Sequence, residues 1–229
     1  IKILTNLGAA LIQQNKSKEG IKFLKKSLKL DPNQPYTLNN LGYILVNQDQ
    51  SLEAISYLDK AITLTPDYAD AYSNRGNAYM NLKKYEDALY NYNTALSLNP
   101  DHSDALSNKA LVLNKLIRYP EAIVCIDKAL SINPNLTEAY INRGNSLKAL
   151  EQEKDAIKCY EQALSLDSKS MEALINLGNS YKDLKCYDLA LENYNKVIKY
   201  KKDCSEAYIN KGITLYKLHR AKDALSSLK

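Results

Sequence analysis

Apolar side chains recur along this chain at a fixed rhythm. In each window of 34 residues they fall at positions 4, 8 and 11, and again at 20, 21, 24, 27 and 28. Steps of three, four and seven residues mark one face of an α-helix. Each window therefore predicts two amphipathic helices, with polar breakers near positions 15–17 and 31–34. The breakers after the second helix are Asp31-Pro32-Asn33, Thr65-Pro66-Asp67, Asn99-Pro100-Asp101 and Asn133-Pro134-Asn135, which stop one helix and open the next. Pro120 lies in the first turn of a second helix, where its missing N–H has no partner to lose. The pattern predicts helix A over roughly positions 2–14 and helix B over roughly 18–30, with ends uncertain by a few residues.

The glycines set the phase. Gly8, Gly42, Gly76, Gly144, Gly178 and Gly212 are spaced by 34 or 68 residues, and the skipped position is Ala110. Position 20 is Gly20 and then Ala54, Ala88, Ala122, Ala156, Ala190 and Ala224; position 27 is Ser27, Ala61, Ala95, Ala129, Ala163 and Val197. Position 24 is large throughout: Leu24, Leu58, Tyr92, Ile126, Tyr160, Tyr194 and Leu228. Small residues at 8 and 20 let helices A and B of one repeat approach closely, and a bulky side chain there would cost about 1–3 kcal/mol in overpacking. A single period of this length indicates stacked repeats. The expectation is one solenoid over 1–229, with repeats 1–34, 35–68, 69–102, 103–136, 137–170, 171–204 and a partial 205–229.

A 34-residue helix–turn–helix with small residues at 8, 20 and 27, large ones at 4, 7, 11 and 24, and Pro at 32 resembles the tetratricopeptide repeat, or TPR. The chain departs from that motif in places. Position 4 is leucine or tyrosine, never tryptophan; position 7 is Arg75, Lys109, Arg143 or Lys211 in four repeats; repeats 5 and 6 lack the proline. A long basic side chain can still lay its stem on an apolar surface. The resemblance implies an all-α fold, a right-handed α-solenoid superhelix of tandem helix–turn–helix repeats. It also implies that helices A line a concave groove through positions 2, 5, 6, 9, 12 and 13.

On those positions the chain is amide-rich. Position 6 is Asn6, Asn40, Asn74, Asn108, Asn142, Asn176 and Asn210, and position 9 adds Asn77, Asn145 and Asn179. Each amide offers two donors and an acceptor, so a row of them can bind the backbone of an extended peptide without reading its sequence. Similar asparagine ladders line the superhelix of O-linked N-acetylglucosamine transferases and of kinesin light chains. The competing reading is that these asparagines only cap and solvate the inner surface. Position 5 changes from Thr5, Asn39, Ser73 and Ser107 to Ile141, Ile175 and Ile209. Those isoleucines form either an apolar anchor stripe in the groove or packing between neighbouring helices. Position 2 runs Lys2, Tyr36, Asp70, Asp104, Glu138, Glu172 and Glu206. The acids there either steer a basic ligand or complement the dipole of their own helix.

Composition narrows the function. There are 31 basic and 26 acidic residues, a net charge of +5, with 45% hydrophobic residues. Repeat 1 has seven basic and two acidic residues and repeat 7 five and two. Basic ends around a near-neutral middle give no continuous phosphate track, and the chain is read as binding no nucleic acid. No apolar run spans a bilayer and no leader precedes the first repeat, so no membrane association is expected and the localisation reads as cytoplasmic. Cys125 and Cys159 share position 23 of successive repeats, while Cys186 and Cys204 lie elsewhere; the two histidines, His102 and His219, fall in turns. No zinc spacing, phosphate loop or nucleophile–base pair is present. Neither metal nor cofactor is expected, and the chain is read as a binding module, not an enzyme.

The main reading is a protein–protein scaffold that holds an extended peptide or partner segment in its groove. The alternative is the substrate-recruiting arm of a larger enzyme resembling the O-linked N-acetylglucosamine transferases. A chaperone-type clamp for a C-terminal carboxylate needs Lys at position 5 and Arg at position 6, and this chain has neither. RNA readers with related repeats have a basic inner face, which the acids at position 2 oppose. The ends carry no polar capping helix, which leaves Leu225 and Leu228 without cover and the ends open to self-association.

Overall fold

A computed structural model describes residues 2–14 and 16–227, with only the backbone at Gln13. Among the described residues every regular element is an α-helix. Helices A are α1 (Lys2–Gln13), α3 (Pro35–Asn47), α5 (Ala69–Asn81), α7 (Ser103–Lys115), α9 (Thr137–Ala149), α11 (Met171–Asp183) and α13 (Ser205–Lys217). Helices B are α2 (Ser17–Leu30), α4 (Ser51–Leu64), α6 (Tyr85–Leu98), α8 (Tyr119–Ile132), α10 (Glu153–Leu166), α12 (Tyr187–Tyr200) and α14 (Ala221–Ser227). From α3 onward each helix begins one residue earlier than the apolar pattern alone places it. Pro35 and Pro120 occupy the first helical turns of α3 and α8, and His102 and Ser170 cap α7 and α11 by accepting the N–H of Ala105 and Ala173, each at 3.4 Å.

Helices A end by a device that the sequence does not advertise. The residue at position 15 takes a left-handed backbone at Asp49, Lys83, Ile117, Glu151, Lys185 and His219, with φ between 59° and 63°. None is glycine. The next N–H then reaches back five residues, as in Gln50 to Leu45 at 2.8 Å and Gln152 to Leu147 at 2.9 Å. This is the Schellman arrangement, which usually draws glycine to the left-handed position.

The chain divides into two compact units, 1–116 and 117–229, the boundary falling in the turn of repeat 4. The first contains α1–α7. Within it Leu24, Leu41, Leu45, Leu58, Ala54, Ala61 and Ala71 form a core of fully or almost fully buried side chains. The second contains α8–α14. There Tyr160, Ala156, Cys159, Leu147 and Leu177 form one cluster, and Leu174, Ile175, Val197 and Ala207 another. In both units each helix packs on its sequence neighbour, and consecutive helices A also touch.

The small-against-large logic of the repeat is explicit in the packing. A Cβ on Gly76, Gly144 or Gly178 would stand 2.5–2.6 Å from a ring carbon of Tyr92, Tyr160 or Tyr194, and one on Gly42 would stand 2.5 Å from Leu58. Repeat 4 has Ala110 at this position and carries Ile126, not tyrosine, at position 24. Those large residues are buried from Leu24 to Tyr194; Leu228 lies outside the described residues. Leu225 is 64% exposed.

A β-branched side chain at a left-handed position costs about 1–2 kcal/mol, and Ile117 is exposed and loses no packing when removed. Ile117→Gly is expected to raise stability by about 1 kcal/mol, read as a higher urea midpoint at constant slope. A lower midpoint would contradict this view of the turns.

Candidate functional site

The polar face of helices A is the candidate site, and its asparagines fall into two groups. In the first unit Asn108 Nδ2 donates to Asn77 Oδ1 at 2.9 Å, and Asn74 Nδ2 donates to Asn39 Oδ1 at 2.9 Å. In the second unit Asn176 Nδ2 donates to Asn145 Oδ1 at 3.0 Å. Three of the position-6 amides are thus tied to the preceding repeat. Asn40, Asn142 and Asn210 stand half-buried and Asn6 exposed, and among the described residues no hydrogen bond engages their side chains. They are open amides on the helix A face.

The position-9 asparagines are held from behind by tyrosines of helix B. Tyr92 Oη donates to Asn77 Oδ1 at 2.7 Å, Tyr160 Oη to Asn145 Oδ1 at 2.8 Å and Tyr194 Oη to Asn179 Oδ1 at 2.8 Å. All three rings are completely buried. Sequence reasoning missed this pairing, although it left a signal. Asn at position 9 occurs in repeats 3, 5 and 6, the same repeats that have Tyr at position 24; the others pair Ala9, Tyr43, Leu111 or Ile213 with Leu or Ile. Burial pushes the pKa of each of these tyrosines well above its usual value.

Position 5 resolves in favour of packing at two of its three isoleucines. Ile141 is 4% exposed and sits with Ala163 and Ala173; Ile175 is 7% exposed and sits with Val197 and Ala207. The alanine at position 3 of the following helix A covers each of them, so the expected apolar anchor stripe does not form there. Ile209 is 50% exposed, beside exposed Ile213 and Tyr216. On α3 the exposed apolar groups are Tyr36 and Tyr43, which flank Asn40. The Tyr36 ring meets Tyr68 edge-on at 5.3 Å, and Tyr68 Oη accepts from Asn39 Nδ2 at 3.1 Å. Burial and the nearby Asp70 carboxylate push the Tyr68 pKa up to about 12.

The charged positions divide by role. Asp70, Asp104, Glu138, Glu172 and Glu206 each stand exposed in the first turn of a helix A, where they complement its dipole. Asp70 also lies 3.1 Å from His102 Nε2, a pair that joins the two ends of repeat 3. Two of the basic residues at position 7, Arg75 and Arg143, brace helices B. Arg75 binds Asn91 and Asp59, and Arg143 binds Asp127 at 2.7 Å and the Cys159 sulfur at 3.1 Å. Burial pushes the Cys159 thiol up, against the pull of Arg143, so it remains a neutral thiol near neutral pH. Among the described residues no group of three His, Cys, Asp or Glu side chains could hold a metal, and no helix is long and apolar enough to cross a membrane.

Two outcomes follow from the tyrosine–asparagine pairs. Asn145→Ala strands a buried hydroxyl and is expected to cost about 1–3 kcal/mol, whereas Asn142→Ala is expected to stay within about 0.5 kcal/mol of the parent; equal urea midpoints would contradict the pairing. The buried tyrosines hold their protons more tightly folded than unfolded. Their stabilisation is complete below the unfolded tyrosine pKa of about 10 and is lost as pH rises beyond it. Absorbance of tyrosinate at alkaline pH is therefore expected to rise in two steps, the later one coinciding with loss of helix; a single step with helicity retained would contradict it.

Comparison with known proteins agrees with this architecture. Tetratricopeptide repeat profiles match residues 1–34, 103–136 and 172–204, residues 69–102 and 137–170, and residues 23–56; a TPR repeat profile matches 52–83. No curated protein sequence matches the chain. Among solved structures, MamA is 28% identical, with a TM-score of 0.62 over 71% of this chain and 95% of its own. YrrB, described as a TPR protein with an unusual peptide-binding site, is 24% identical, with a TM-score of 0.66 over 80% of this chain and 95% of its own. PilF of Pseudomonas aeruginosa is 19% identical, with a TM-score of 0.79 over 90% of this chain and 94% of its own. With its period, its paired helices and these matches taken together, the chain belongs to the tetratricopeptide repeat family.

Proposed function

We propose that this chain is a protein-interaction scaffold that binds an extended polypeptide segment on the helix A face of its repeats. The observation that carries the reading is the set of open amides at Asn6, Asn40, Asn142 and Asn210, each at the same position of its repeat. Half-buried amides without partners in the chain are satisfied by water or by a ligand. Side chains that recur at one repeat position suit a ligand that is itself periodic, and a polypeptide backbone is such a ligand. Affinity then comes from the backbone, while Tyr36 and Tyr43 in the first unit supply apolar contacts that favour certain side chains.

Linear peptides selected from a displayed random library on the 229-residue chain supply the probe. Asn142→Ala combined with Asn210→Ala is expected to weaken their binding about tenfold, at roughly one hydrogen bond per amide, with an unchanged helical circular dichroism spectrum. Equal affinity in fluorescence anisotropy would remove these amides from the binding mechanism.

A further inference from the structure

The hydrogen bonds behind position 9 decide which side of each amide is left for a ligand. Tyr92, Tyr160 and Tyr194 are buried, and the proton of a buried hydroxyl must find an acceptor. For Tyr160 and Tyr194 that acceptor is the Oδ1 of Asn145 and Asn179; for Tyr92 it is Asn77 Oδ1, with Met80 sulfur a distant second at 3.9 Å. Elevated pKa values keep all three hydroxyls protonated, so they remain donors.

The same carbonyl oxygens are used a second time. Asn108 donates to Asn77 Oδ1 at 2.9 Å, Asn176 to Asn145 Oδ1 at 3.0 Å, and the Lys182 ammonium to Asn179 Oδ1 at 3.3 Å. An amide oxygen has two lone pairs, so each of these three is full. Rotating any of the amides by half a turn would face an NH2 group to two donors; at Asn145 it would also strand the hydroxyl, whereas Tyr194 also meets Thr214 and Tyr92 the more distant Met80 sulfur. The amides are therefore locked in one orientation. Among the described residues no hydrogen bond uses Nδ2 of Asn77, Asn145 or Asn179, and these side chains are half-buried, not enclosed. What they present outward is N–H.

We infer that Tyr92, Tyr160 and Tyr194 are positioning residues that turn the amides of Asn77, Asn145 and Asn179 donor-side outward, so that the helix A face recognises the carbonyl edge of a polypeptide and accepts segments that lack backbone N–H groups, proline-rich ones among them. This deepens the peptide-binding reading and rests on it. A β-strand partner would offer N–H and C=O groups in alternation, and its N–H groups find no free carbonyl at position 9. A polyproline II segment has its carbonyls solvated and unpaired, and it loses nothing at position 9, where the amides only donate. Exposed Tyr36 and Tyr43 beside Asn40 add the flat apolar contacts that such segments favour.

The test compares two probes on the 15N-labelled 229-residue chain: N-acetyl hexaglycine amide, whose backbone has carbonyls and N–H groups, and N-acetyl hexasarcosine amide, which has carbonyls and no backbone N–H within its sarcosine units. Both are expected to shift the side-chain NH2 resonances of Asn145 and Asn179 saturably and with comparable affinity. In Tyr160→Phe combined with Tyr194→Phe the amides are free to turn. Hexasarcosine binding is then expected to fall about fivefold relative to hexaglycine binding, a change in preference that a purely structural role would not produce. Shifts with hexaglycine alone would overturn this inference and leave the peptide reading standing. Equal losses for both probes in the double variant would overturn the positioning role. Shifts with neither probe would overturn the peptide reading, and this inference with it.

Discussion

Close approach of helices A and B is the constraint on which the rest of this structure depends. Position 8 has no room for a Cβ in repeats 1, 2, 3, 5 and 6, because the position-24 side chain of helix B occupies that space. Position 20 answers with alanine in every repeat but the first. Where position 24 is tyrosine, its ring lies across the glycine and its hydroxyl emerges beside position 9 of helix A. The core thereby sets the geometry of the polar face. An aromatic residue placed to fill space also holds an amide, and the two tasks cannot be separated by moving either helix.

The polar face is accordingly not a uniform ladder. Asn74, Asn108 and Asn176 knit successive helices A together, whereas Asn40, Asn142 and Asn210 remain open. The difference follows from the preceding repeat. Ala9 offers no carbonyl to Asn40, and in the second unit the Lys182 ammonium, not Asn210, donates to Asn179 Oδ1. One residue type at one position thus does two jobs, stiffening some junctions and leaving others available. Position 7 shows the same economy: where leucine gives way to Arg75 or Arg143, the guanidinium links Asp59 or Asp127 of the preceding repeat to position 23 of its own.

Much of this was legible in the amino-acid sequence because its causes are periodic. The small residues at 8, 20 and 27 and the prolines at 32 place the helices to within a residue. Other features were hidden because they depend on a neighbour. Ile141 and Ile175 look like groove residues within one repeat and become core only when Ala173 and Ala207 of the next repeat close over them. The left-handed residues at position 15 carry no glycine signal, since the five-residue bonds of the turn hold the conformation at Asp49, Lys83 and Glu151 alike. The tyrosine–asparagine pairing was visible as a co-occurrence of positions 9 and 24, but only a correlation between helices, not a scan along one, brings it out.

The most direct test of peptide binding on the amide face is paramagnetic relaxation from a nitroxide-labelled peptide bound to the 15N-labelled chain. The label is expected to broaden the side-chain amide signals of Asn142, Asn176 and Asn210 while sparing exposed Lys158 on helix α10. Broadening concentrated around Lys158, with the asparagine signals intact, would contradict it.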